Sequence, residues 1–109
     1  MMFNTDNKLT ILAIGAHGDD IELACGGTLA KAVSKGHHVI MVVVTGTDSK
    51  DHKNVSIRDN GDAKKEAMAA AKILGVPKLI ILGYEDTLVP YSADLIGDLD
   101  DIMNQYKPD

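Results

Sequence analysis

The chain has 109 residues, 45% of them hydrophobic and 25% charged, with a formal net charge of −5. That is the size and composition of one globular domain, and it excludes wholesale disorder and collagen-like repeats. The acidic balance, with no basic cluster denser than Lys64-Lys65, disfavours binding to nucleic acid.

Elements alternate along the chain. Leu9 to Ile14 is an apolar run rich in β-formers, ended by Gly15, as in a strand buried on both faces. Ile21, Cys25, Leu29 and Val33 recur every four residues and predict a helix lying on a sheet, ended at Gly36. His38 to Val44 reads as a second buried strand, closed by Thr45-Gly46. Thr47 to Asn60 is polar and long for a connection between a strand and a helix, a length often tied to function. A helix from about Asp62 to Leu74 shows a narrow face of Ala67, Ala70, Ala71 and Leu74, and stops at Gly75 and Pro77. Lys78 to Leu82 is the third strand, ended by Gly83. Ser92 is a good N-cap for a last helix marked by Leu95, Leu99, Ile102 and Tyr106, with Pro108 beyond it. Met41, Met68 and Met103 fit core positions.

This alternation predicts an α/β fold of Rossmann-like type, a parallel sheet between helices in three αβα layers. Three strands and three helices are few for that architecture. The expectation is a single domain over 1–109 that forms the N-terminal part of a larger one or completes its sheet with another chain. The polar segment 1–7 has no apolar core of a secretory signal, and Val39 to Val44, the longest apolar run, is too short to span a bilayer. The lone Cys25 can form no intrachain disulfide. These features predict a cytoplasmic protein without a membrane span.

In open α/β sheets ligands bind beyond the carboxyl ends of the strands. The first such segment reads Gly15-Ala16-His17-Gly18-Asp19-Asp20-Ile21-Glu22. Acids at a helix N-terminus are favoured by its dipole, so Asp19, Asp20 and Glu22 have a capping explanation. Capping does not account for the histidine. Imidazole nitrogen and carboxylate oxygen are both zinc donors, and a tight turn can aim His17 and Asp20 at one point while Asp19 takes a proton from an activated water. Both explanations stand on these residues. A dinucleotide loop is disfavoured, because the three-glycine spacing is missing and the acids would face a pyrophosphate. Gly26-Gly27 falls inside the first helix and suits close helix–strand packing. Cys25 has no histidine placed to activate it and reads as a small core residue.

The run Ala16-His-Gly-Asp-Asp-Ile-Glu-Leu-Ala-Cys-Gly-Gly-Thr-Leu29 resembles the N-terminal signature of the PIG-L/LmbE-like zinc-dependent de-N-acetylases, A-H-P-D-D-x-E-x-x-x-G-G-T-L. His37-His38-Val39, Glu66 with Leu74-Gly75-Val76, Leu82-Gly83-Tyr84 with Asp86, and Lys107-Pro108-Asp109 extend the likeness along nearly the whole chain, over about the first half of a family domain. The resemblance implies removal of acetyl groups from N-acetylglucosamine-type sugars, a small-molecule substrate class, with a metal-bound water as nucleophile. It implies zinc as cofactor, His17 and Asp20 as ligands, Asp19 as general base, and Asp86 as an acid that binds sugar hydroxyls.

Three departures stand against the family pattern. Gly18 replaces its proline. Ala63 takes the place of its arginine, which leaves Arg58, five residues earlier, as the candidate substrate-binding cation if the loop folds inward; its bland role is a solvated loop cation. The remaining zinc histidine belongs to a segment after a fourth strand. His37 and His38 lie at the wrong end of the sheet to replace it, and His52 lies in a loop at the correct end. Two protein ligands alone would hold zinc weakly. The alternative is therefore a non-catalytic α/β module, a fragment or assembly partner. Either way an exposed sheet edge predicts self-association or a missing C-terminal segment.

Overall fold

The computed structural model describes residues 7–46, 49–50, 53, 55–58 and 60–109. The N-terminal segment 1–6 and His52 lie outside the described residues. The elements run β1 (Thr10–Gly15), α1 (Gly18–Ser34), β2 (His38–Thr45), β3 (Ser49–Lys50), β4 (Ser56–Arg58), α2 (Asn60–Leu74), β5 (Lys78–Tyr84) and α3 (Ala93–Tyr106).

β1, β2 and β5 form a parallel sheet in the order β1-β2-β5. β2 lies in the middle, and its residues Val39 to Val43 are wholly buried. Alternation along β2 divides the core into two layers. Val39, Met41 and Val43 face Ile21, Leu29 and Ala32 of α1 and Ala71 of α2. Ile40 and Val42 face Ile102 of α3, with Leu99 and Tyr106 beside it. Helices therefore cover both faces, and the three-layer αβα arrangement expected from the alternation is what the chain adopts. The predicted strands and the helix predicted from about Asp62 to Leu74 match the observed ones to within two residues, and the other two helices form over their apolar stripes. The exception is the segment between β2 and α2. There a short antiparallel pairing of Ser49 with Arg58 and Lys50 with Ser56 replaces the expected irregular loop.

α1 and α2 lie on one face, and α3 returns on the other. That return brings Asp109 beside β1, where its N–H donates to the Thr10 carbonyl at 2.8 Å and its carboxylate accepts from the Thr10 N–H at 2.8 Å. Among the described residues no further strand of this sheet lies beyond β1. Thr10, Leu12 and Ile14 turn their backbone groups to that edge, because the residues between them bond to β2.

Three packing expectations need correction. Met68 and Met103 are exposed, not core. Met68 faces a groove between α2 and β5, and Met103 a groove along β1, so each lies where an edge of the sheet leaves its helix uncovered. Gly26 packs against Leu74 of α2 and not against a strand. α1 is also kinked at Cys25 (φ −146, ψ 15), a half-buried residue packed on the core as expected.

His37 is buried at the amino end of the sheet, and its Nδ1 accepts from the Leu9 N–H at 3.0 Å. Its role is to fasten β1 to the α1–β2 turn, as its position at the far end from the conspicuous acids implies.

Candidate metal and active site

The carboxyl end of β2 organises the site. Thr45, 1% exposed, donates through both its N–H (3.1 Å) and its Oγ1 (2.9 Å) to the carbonyl of Ala16. Next to it the Gly46 N–H donates to the Tyr84 carbonyl at 2.9 Å. One strand end thus ties down the residue before His17 and the residue two before Asp86. In the sequence Thr45 only closes the strand; the one sign of its part in the site is a lone hydroxyl at the end of an otherwise apolar buried run.

Gly15 ends β1 where a Cβ would come within 2.8 Å of Ile21 Cγ1. Only a residue without a side chain lets the turn pass so close to the buried first turn of α1. His17 is the N-cap of that helix, in an extended conformation (φ −125, ψ 162). Gly18 is the first helical residue, a position that suits proline, and an extended residue before it is what a proline requires. Glycine in place of the family's proline therefore leaves the backbone path as a proline would set it.

Asp20, three residues on, accepts from the His17 N–H through Oδ2 at 2.8 Å, which is one half of a capping box. The same oxygen lies 3.5 Å from His17 Nδ1. Two donors on a tetrahedral zinc with bonds of about 2.0–2.2 Å stand about 3.4 Å apart. The imidazole and carboxylate therefore have the bite of a zinc ligand pair, and capping and metal binding are compatible at Asp20. Asp19 is exposed in the same turn of the helix.

The structure brings a further residue to the ring. Asp86, 8% exposed, places Oδ1 2.6 Å from His17 Nε2, across 69 positions of sequence. This hydrogen-bonded carboxylate holds the imidazole above its ordinary titration range; burial opposes it, and the charges of Asp86, Asp20 and Asp19 add to it. Asp86 lies in a turn closed by Leu88 N–H to Glu85 carbonyl at 3.1 Å, in which Thr87 adopts a left-handed φ of 68°. A β-branched residue is strained there, at a cost of about 1–3 kcal/mol, and the turn holds Asp86 against His17 despite that cost.

The other candidates divide. Ala63, in the place of the family's arginine, is buried in α2. Arg58 lies in β4, paired through its backbone with Ser49. Among the described residues no group of three or more His, Cys, Asp or Glu is arranged to hold an ion, so His17 and Asp20 stand as a pair.

Residues 12–109 match the family model described as PIG-L, GlcNAc-PI de-N-acetylase. The chain belongs to the PIG-L family. It is 36% identical to the uncharacterized deacetylase YaiS of Escherichia coli K12, over 99% of this chain and 56% of that protein. It is 29% identical to the diacetylchitobiose deacetylase of Thermococcus kodakarensis, over 97% of this chain and 40% of the other. The solved N,N'-diacetylchitobiose deacetylase of Pyrococcus horikoshii, in complex with its inhibitor MPG, superposes with a TM-score of 0.82 at 32% identity, covering 94% of this chain and 39% of that one. The chain thus spans about half the length of the curated relatives it matches. No helix among the described residues is long and apolar enough to cross a membrane.

Behind the site, Tyr84 at the end of β5 donates its hydroxyl to Asp98 of α3 at 2.6 Å. That bond, helped by the charges of Asp98 and Asp94, pushes the phenol up to about 12 from its usual 10. The raised value means that the bond stabilises the fold fully below pH 10 and is lost as pH rises through about 12. In an absorbance titration one of the three tyrosines should ionise near 12, and Asp98→Asn should return it towards 10. No tyrosine ionising above the usual 10 in the unsubstituted protein would contradict the bond.

Proposed function

We propose that this chain carries the metal-binding and proton-transfer half of a zinc-dependent deacetylase acting on an N-acetylglucosamine-type sugar or conjugate. The observation that carries this reading is the juxtaposition of His17 Nδ1 and Asp20 Oδ2 at 3.5 Å, at the carboxyl end of β1. Family membership and the acetylated amino-sugar substrates in the names of two relatives support it.

His17 and Asp20 would hold the zinc ion. The ion supplies electrophilic polarisation of the amide carbonyl and of the attacking water. Asp19, exposed beside this pair, takes the proton of the water and returns it to the departing amine. Asp86 and Arg58 are assigned to the sugar. The third ligand is assigned to His52, which lies outside the described residues, to a segment beyond 109 or to a second copy of the chain.

Acetate release from N,N'-diacetylchitobiose in the presence of zinc tests the reading. Asp19→Ala should lower the rate about 10²–10⁴-fold while leaving zinc binding intact, the loss expected when a general base is removed. Zinc-loaded protein that releases no acetate would leave the non-catalytic module as the better description.

We also propose that the 109-residue chain self-associates through the outer edge of β1. That edge presents the backbone groups of Leu12 and Ile14 beside a groove lined by Leu29 and Met103, and such an edge recruits another strand. Light scattering should give a mass above the 11.6 kDa of one chain; a monodisperse monomer at micromolar concentration would contradict this.

A further inference from the structure

We propose that Asp86 is a positioning residue that locks the tautomer of His17 and so decides which ring nitrogen meets the metal, an inference that rests on the zinc reading above.

An ionised carboxylate only accepts hydrogen bonds. With Asp86 Oδ1 2.6 Å from Nε2, the hydrogen of the neutral ring belongs on Nε2. The lone pair is then on Nδ1, the nitrogen 3.5 Å from Asp20 Oδ2. The opposite tautomer would face the Nε2 lone pair with a carboxylate oxygen at 2.6 Å and would leave Nδ1 without a lone pair to offer a metal.

Three features make Asp86 suited to this role and not to solvent. It is buried while Asp19 and Asp20 are exposed. Its turn is held by the Leu88–Glu85 bond with Thr87 strained in the left-handed region. The strand ends that carry the two partners are joined through Thr45 and Gly46. A histidine ligand with its far nitrogen bound to a carboxylate is oriented and made more basic, and losing such a partner weakens metal affinity about 10–100-fold. Asp86 thus acts on the metal through the ring, in addition to any contact with sugar.

The test uses the 109-residue protein and two readouts. In the metal-free state, imidazole ¹⁵N shifts recorded where the ring is neutral should assign His17 to the Nε2–H tautomer. Asp86→Asn keeps an accepting oxygen in the same place and should keep that tautomer; Asp86→Ala should release it into a mixture. Competition with a chromophoric chelator should then show zinc held about 10–100-fold less tightly in Asp86→Ala, with Asp86→Asn between it and the unsubstituted protein. An Nδ1–H ring in the unsubstituted protein overturns the proposal, as does a tautomer or a zinc affinity unchanged by Asp86→Ala with its helix content intact by circular dichroism. Zinc binding absent from the unsubstituted protein, with the tautomer as expected, overturns the zinc reading and the metal role with it while the Asp86–His17 clasp stands. Should Asp86→Ala fail to fold, the zinc affinity of Asp86→Asn decides: a value below that of the unsubstituted protein is expected, and an unchanged one overturns the proposal.

Discussion

The site depends on β2. A strand buried on both faces cannot move relative to its neighbours without opening both core layers, and at its carboxyl end it has hydrogen-bonding groups to offer. Thr45 spends two of them on the Ala16 carbonyl, and the following Gly46 N–H reaches Tyr84. Through these bonds the turn after β1 and the turn after β5 share one anchor. His17 and Asp86, far apart in sequence, meet because the strand between their strands holds both.

Helix α1 contributes the second constraint. Its N-terminus is set by His17 as N-cap and by Asp20 reaching back to the His17 N–H. The same bond that starts the helix brings a carboxylate oxygen to within 3.5 Å of His17 Nδ1. Capping and the proposed ligation, which compete as explanations of these acids in the sequence, are compatible with one geometry. The positive end of the helix dipole also favours the negative charges of Asp19 and Asp20 where a cation is expected to be held.

Much of this was legible in the sequence. The buried strands are short continuous apolar runs ended by glycine, the four-residue stripe of α1 is a helical period, and the family signature falls at the end of the first strand, where an α/β fold places ligands. The hairpin between β2 and α2 was not legible, because strands of two and three polar residues have no hydrophobic period. Met68 and Met103 misled, since a period reports which helical face is apolar and not whether anything covers it. The clasp between Asp86 and His17 was hidden for a different reason. Resemblance assigned Asp86 to substrate, and only the tertiary structure shows that its carboxylate reaches the ring. Tyr84 and Asp98 were hidden likewise, since α3 also carries Asp94, Asp100 and Asp101 and nothing in the sequence marks which of them the phenol reaches.

The central claim is that His17 and Asp20 are the chain's own share of a zinc site. Zinc affinity, measured by competition with a chromophoric chelator on the purified protein and on His17→Ala, is the direct test. The expected result is a measurable affinity in the unsubstituted protein that falls at least about tenfold in His17→Ala. An affinity that His17→Ala leaves unchanged would contradict it.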